Sequence, residues 1–272
     1  MTTEIKLHFE THGSGSPILM LHGFGSSLYT WRDLIPAFAT SNKLILIDLK
    51  GFGKSPKPKD KLYRTQDQAD LVHQFIVEQD LRGLTLVGHS MGGGVALLVS
   101  LMLAKEKSDR LSRLVLIDSA AYRQDLPGFI AVLRIPIIGS IGFSLLPNTT
   151  KARISLKKCY FDKTKITRDQ VRAYAEPLSS DGGAYALFRT AKMLIPANID
   201  EISSQYNQIM VPTLIMWGRN DEVVPLEIGQ RLHEAIADSE FRIIEQCGHI
   251  PHEEKPVEAI EALRSFLQRN VN

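Results

Sequence analysis

Short apolar runs, each stopped by glycine or aspartate, recur between residues 15 and 120. Ile18-Leu19-Met20-Leu21 ends in His22-Gly23, and Leu44-Ile45-Leu46-Ile47 ends in Asp48. Leu84-Thr85-Leu86-Val87 ends in Gly88, and Leu114-Val115-Leu116-Ile117 ends in Asp118. Runs this short with almost no polar alternation have no solvent face, which predicts parallel strands buried on both sides. Amphipathic stretches lie between them. Thr65-Gln66-Asp67-Gln68 has the spacing of a capping box and opens a helix that turns Val72, Phe75 and Ile76 inward; Val95 to Lys105 predicts a second, strongly apolar helix. Strands alternating with helices predict an α/β protein with a mostly parallel, doubly wound sheet.

The alternation stops near Tyr122. From there to Asn207 no buried strand run occurs, and Pro127, Pro136, Pro147, Pro177 and Pro196 divide the segment into short helical pieces. Thr167-Arg168-Asp169-Gln170 is a capping box, and Asp181 stands where it would cap a piece running through Leu187 and Met193. The α/β pattern then resumes with Thr213 to Trp217, a helix from Pro225 to Ile236, Phe241 to Ile244, and a last helix striped by Val257, Ile260, Leu263 and Leu267. The predicted organisation is one core domain, residues 1–121 and 208–272, interrupted by a helical lid at 122–207.

Composition narrows the partners. A net charge of +2 over 272 residues offers no basic face for nucleic acid. The stretch Lys54, Lys57, Lys59 and Lys61 is broken by Pro56, Pro58 and Asp60, the composition of a solvated loop. Cys159 and Cys247 make neither a metal-ligand spacing nor a disulfide framework, so no metal is expected and a reducing, cytoplasmic setting is. Met1 to Glu10 lacks the apolar core of a signal peptide. Leu126 to Leu146 is the most apolar stretch, but Arg134, Pro136, Gly139 and Gly142 interrupt it, against a spanning helix. No feature sets an oligomeric state.

Gly88-His89-Ser90-Met91-Gly92 carries the chemistry. It follows a buried strand and opens an apolar helix, the setting of a nucleophile elbow: a sharp turn that exposes the serine hydroxyl, with flanking glycines that let backbones pass close. Here the chain resembles the α/β-hydrolase superfamily along essentially its whole length, as a serine carboxylesterase or lipase-like member. The resemblance implies that fold, with the lid inserted after what the family counts as its sixth strand. His22-Gly23-Phe24-Gly25 looks like the family's oxyanion loop, which gives the Phe24 and Met91 backbone N–H groups the oxyanion roles and leaves His22 structural. Asp48-Leu49-Lys50-Gly51-Phe52-Gly53-Lys54-Ser55 resembles the family's D-x-x-G-x-G-x-S turn; its Gly-Lys-Ser is not a phosphate loop, because Asp48 stands where that motif needs glycine. Trp217 to Pro225 resembles the acid loop and points to Asp221, with Asp118 as its rival; Cys247 to Pro256 resembles the histidine loop and points to His249, with His252 as its rival. The order Ser90, Asp221, His249 is the family's own. One departure lies at the N-terminus, where only Ile5 to Thr11 precedes the Ile18 run, so that the family's two leading strands reduce to one.

The expected activity is hydrolysis of carboxylic esters of short to medium acyl chains, without a cofactor. Three alternatives share the elbow. The first is serine-dependent cleavage of carbon–carbon bonds in ring-fission products, whose family pattern puts a Trp soon after the histidine and an extended Gly-Pro-Gly oxyanion loop, neither of which this chain has. The others are perhydrolase activity and a non-catalytic receptor on the same fold. The expected partner is a small acyl ester, bound in a lid pocket that includes Phe129, Leu133, Ile137, Ile141 and Phe143. The same apolar stretch, with Arg134, Lys151 and Arg153 nearby, would also suit a weak peripheral contact with a membrane surface.

Overall fold

The computed structural model describes residues 5–135 and 145–269. Its sheet has seven strands: β1 Phe9–His12, β2 Ser16–Leu21, β3 Asn42–Ile47, β4 Leu84–His89, β5 Leu111–Ile117, β6 Thr213–Gly218 and β7 Ser239–Ile244. They lie in the order β1-β3-β2-β4-β5-β6-β7. Only β1 is antiparallel, with Phe9 opposite Ile47 on the edge of β3. The apolar runs are therefore strands as predicted, and among the described residues one strand, β1, precedes β2.

Side chains of the central strands alternate between two buried faces, while β1 and β7 at the edges are partly exposed. Leu19, Leu21, Ile45, Ile47, Leu86, Leu116 and Ile215 enter one core, and Ile18, Met20, Leu44, Leu46, Val87, Val115 and Leu214 enter the other. The first face is covered by α1 (Thr65–Glu78), α2 (Met91–Lys105) and, beyond β6, α6 (Leu226–Ala235). The second is covered by Trp31, Leu34 and Phe38 and by α7 (Pro256–Leu267) through Leu263 and Phe266. Among the described residues, those between β5 and β6 form no strand. They carry α3 (Asn148–Cys159), α4 (Arg168–Ala175) and α5 (Gly183–Met193) with shorter helical turns between them.

Two helix starts differ from expectation. α1 begins at Thr65 itself: the Asp67 carboxylate accepts the Arg64 N–H at 2.8 Å, and the Thr65 hydroxyl donates instead to the Leu194 carbonyl at 3.0 Å. A tertiary acceptor has displaced the local cap. α5 is preceded by Gly182 in the left-handed region, φ 76°, rather than capped by Asp181. The Thr167–Gln170 box forms as the spacing predicts. Among the described residues no helix is long and apolar enough to cross a membrane.

The strand order fixes where a ligand can sit. The chain leaves β2 toward β3 on one side and later continues from β4 toward β5 on the other. The loops after β2 and β4 therefore diverge and open a crevice at the carboxyl end of the sheet, the usual position for a site in an open α/β fold.

Candidate active site

Ser90 is the single residue between β4 and α2, and the chain reverses there at φ 53° and ψ −119°. That conformation costs of order 1–3 kcal/mol for a residue with a Cβ. The surroundings enforce it. The Ser90 N–H donates to the Ile117 carbonyl at 3.0 Å, and the Ser90 carbonyl accepts from Gly93, Gly94 and Ala120. A Cβ on Gly88 would lie 2.4 Å from the Gly92 carbonyl oxygen, and one on Gly92 would lie 2.3 Å from that of Leu21. The G-x-S-x-G spacing is thus a packing requirement, and its result is a serine hydroxyl held out of the turn.

His249 follows β7, and Asp221 follows β6. His249 Nε2 lies 2.9 Å from Ser90 Oγ, and His249 Nδ1 lies 2.7 Å from Asp221 Oδ2. Asp221 Oδ1 accepts from the Val223 and Val224 N–H groups at 2.7 and 3.0 Å, so both carboxylate oxygens are engaged. This pattern assigns the neutral imidazole a proton on Nδ1 and turns the Nε2 lone pair toward Ser90. The loop itself is clamped: the His249 N–H donates to the Cys159 carbonyl at 2.6 Å, and the His249 carbonyl accepts from His89 Nε2 at 2.8 Å.

Neither rival occupies this position. His252 is buried, with its ring stacked on Trp31 at 4.5 Å and Nε2 2.8 Å from Thr30 Oγ1. Asp118 is also buried, and its Oδ1 accepts from the Gly218 N–H at 2.9 Å. It sits behind Asp221, with polar atoms of Asp118, Asp221 and His249 within 4.8 Å of one another. Burial, then the Asp221 charge, pushes the Asp118 carboxyl well above the ordinary range.

The loop after β2 supplies the amides. His22 Nε2 accepts the Leu49 N–H at 3.0 Å, so its Nδ1 carries the proton and donates to the Gly23 carbonyl at 2.8 Å. In a trans peptide the N–H points opposite the carbonyl. Holding the Gly23 oxygen therefore turns the Phe24 N–H away from it. The Met91 N–H is the first of α2, at the helix's positive end. Among the described residues neither amide is taken by a backbone acceptor.

The D-x-x-G-x-G-x-S segment is a structural turn. Asp48 accepts from the Leu28 and Lys54 N–H groups, both at 2.8 Å, and Ser55 Oγ donates back to the Asp48 carbonyl. Cys159 and Cys247 are buried free thiols whose pKa is pushed up chiefly by burial, which suits packing rather than nucleophilic chemistry.

One cluster carried no signal in the sequence beyond an acid pair after the histidine loop. Glu253, with a fully buried carboxylate, accepts from Thr30, Arg32, Gln170 and Tyr174. Glu254 accepts from the Gly248, Phe161 and Asp162 N–H groups. The two acids tie the histidine loop to α4 and to the end of α3. Glu253→Ala is expected to destabilise the fold by ~3–5 kcal/mol, the usual cost of removing one partner from a buried ionic network. Urea unfolding followed by circular dichroism checks this.

Burial also sets a pH dependence. His22, His89 and His252 have pKa values lowered from 6.5, in each case first by desolvation; His252 and His249 lower His89 further, and Arg32 and His249 lower His252 further. The unfolded chain protonates these rings below about 6.5 and the folded chain protonates them only at lower pH, so stability is present above that pH and is lost as pH falls. Each ring contributes up to ~1.4 kcal/mol per pH unit between its unfolded and folded pKa, and the raised Asp118 carboxyl acts in the opposite sense. Urea midpoints are therefore expected to drop between pH 7.5 and pH 5.5; an unchanged midpoint contradicts the buried neutral histidines.

Two cavities meet at Ser90. The larger, about 400 Å³, is lined by His249, Gly23, Phe129, Leu133, Leu156 and Leu187 among others. The smaller, about 50 Å³, is lined by Met91, Leu98, Ala121, Ile202 and Tyr206 among others. Phe24, Ser90, Ile130 and Val223 belong to both. Of the five lid residues expected in a pocket, Phe129 and Leu133 line the larger cavity; Ile137, Ile141 and Phe143 lie outside the described residues.

A doubly wound sheet with a serine elbow and a Ser–His–Asp hydrogen-bonded relay at its switch point defines a class of hydrolases. The model of the alpha/beta hydrolase family matches residues 18–263, and the chain belongs to that family. Uncharacterized hydrolase YugF of Bacillus subtilis (strain 168) is 28% identical over 263 residues, 96% of this chain and 93% of the relative. The 2-hydroxy-6-oxo-6-phenylhexa-2,4-dienoate hydrolase of Comamonas testosteroni is 27% identical, with 98% and 93% of the two chains covered. The esterase EaEST from Exiguobacterium antarcticum shares the fold at a TM-score of 0.82, with 23% identity and coverage of 98% and 97%.

Proposed function

We propose that this hydrolase cleaves carboxylic esters of short to medium acyl chains through an acyl-enzyme. The observation that carries the reading is the relay from Asp221 through His249 to Ser90, with contacts of 2.7 and 2.9 Å, opening into an apolar cavity, with the Phe24 and Met91 amides taken by no backbone acceptor among the described residues. Ser90 Oγ attacks the acyl carbon while its proton passes to His249 Nε2. The oxyanion lies against the Phe24 and Met91 N–H groups, each worth of order 3 kcal/mol in the transition state. As the carbon–oxygen bond breaks, His249 returns the proton to the departing alcohol. Water, giving its proton to the same nitrogen, then cleaves the acyl-enzyme to the acid and frees Ser90. Asp221 holds the tautomer and stabilises the imidazolium. The insertion between β5 and β6 acts as a lid that keeps this chemistry dry.

Carbon–carbon bond hydrolysis, the activity named for the Comamonas testosteroni relative, is the second reading. The larger cavity disfavours it. A ring-fission substrate carries a carboxylate, and Lys151 is the sole Lys or Arg among the described lining residues. Fluorophosphonate labelling, followed by p-nitrophenyl ester turnover and assay of a ring-fission product, separates the readings. Ester turnover with labelling of Ser90 supports the proposal; cleavage of the ring-fission product alone replaces it. Labelling with no turnover of either substrate favours the receptor alternative.

A further inference from the structure

We infer that the bulk of the substrate lies in its leaving group: the protein takes esters of a short acid with a larger apolar alcohol. This rests on the reading of Ser90 as nucleophile and His249 as base, and it narrows the acyl range given above to its short end.

The argument starts from the tetrahedral carbon. Once bonded to Ser90 Oγ, that carbon has three other substituents: the oxyanion, the leaving oxygen and the acyl chain. The oxyanion belongs at the Phe24 and Met91 amides. The leaving oxygen must come within hydrogen-bond reach of His249 Nε2, because that atom gives it the proton. Its substituent therefore extends into whichever cavity His249 lines, and the acyl chain takes the other direction.

The two cavities differ on this criterion. His249 lines the larger one together with Gly23, Gly25, His89 and Ile250, and it does not line the smaller one. The smaller one lies on the Met91 side, against Gly94, Ala120 and Ala121. It is about 50 Å³ against about 400 Å³. A water needs ~10–15 Å³ on this measure, so the small side has room for an acyl group of roughly three or four heavy atoms. Its wall is fixed: buried Tyr206 donates its hydroxyl to the Ala121 carbonyl at 2.6 Å, and Ile202 packs in the same core. The large side falls within the usual range for a small-molecule pocket and is lined by Phe129, Leu133, Leu156, Leu178 and Leu187. The insertion lines both sides: Leu126, Ile199 and Ile202 close the small one, and Phe129, Leu133 and Leu187 face the large one.

Two ester series on the purified full chain test this, each below its micellar concentration. In acetates of ethanol through octanol, kcat/KM should rise about fourfold per added carbon, the factor for ~0.8 kcal/mol per buried methylene, until the cavity is full. In ethyl esters from acetate to octanoate, kcat/KM should fall tenfold or more beyond butanoate. Ile202→Ala, which enlarges the small cavity, should raise the ratio of ethyl hexanoate to hexyl acetate turnover about tenfold. A rise in the ethyl series with a flat or falling acetate series overturns the inference while leaving ester hydrolysis intact, and so do matching profiles in the two series. Absence of turnover across both series overturns the ester reading and this inference with it.

Discussion

Ser90→Ala is expected to abolish fluorophosphonate labelling and to cut ester turnover on the order of 10⁶-fold, the loss recorded when the nucleophile of a serine relay is removed. The size follows from the arrangement. His249 Nε2 at 2.9 Å has no other hydroxyl to activate at the acyl carbon, and the two amides stabilise an oxyanion only after an attack has formed one. What remains is binding and the amides, acting on water. Folding should be nearly unaffected. Alanine has the same Cβ at φ 53°, the backbone bonds to Ile117, Gly93, Gly94 and Ala120 do not involve the hydroxyl, and the change lies within the ~0.5 kcal/mol typical of a substitution that removes no packing. Turnover above one-tenth of the parent in contaminant-free protein would remove Ser90 from the role.

Much of this site is legible in the chain itself, because the features involved are local. The strand runs have no polar alternation since helices cover both sheet faces. The elbow needs glycine at 88 and 92 because a Cβ at either would strike backbone carbonyls, so the spacing appears in any sequence that makes this turn. Local chemistry misleads where a distant group competes for it. Thr65 has the residue types of a cap and spends its hydroxyl on Leu194, 129 positions away. Glu253 and Glu254 look like the solvated start of a helix, yet their acceptors are filled by donors from Thr30, Arg32 and α4 and by backbone from the end of α3. The asymmetry of the two cavities has no sequence signature, since it depends on how the insertion packs over the β4 and β7 loops. For the same reason the apolar stretch from Leu126 shows that something must be covered, without showing which half of a substrate does the covering.

The choice between the two acids leads to the second large effect. Asp221→Asn is expected to lower kcat by ~10⁴, because an amide nitrogen facing His249 Nδ1 would favour the tautomer with its proton on Nε2, the wrong one for deprotonating Ser90. The carboxylate's two other bonds, from the Val223 and Val224 N–H groups to Oδ1, can be kept by the Asn carbonyl, so the loss should be chemical rather than structural. Asp118→Asn makes the instructive comparison. Burial and the Asp221 charge push the Asp118 carboxyl well above the ordinary range. An Asn there keeps the bond that Asp118 makes: its carbonyl can accept from the Gly218 N–H as Oδ1 does. Turnover should fall less than tenfold. Asp118→Ala, which leaves the Gly218 N–H unpaired in a buried site, should cost ~1–3 kcal/mol in stability by urea unfolding. kcat values for the two Asn variants, measured on one p-nitrophenyl ester, decide the assignment. If Asp118→Asn is the more damaging, the acid that orients His249 sits at the end of β5, and Asp221 is its buttress.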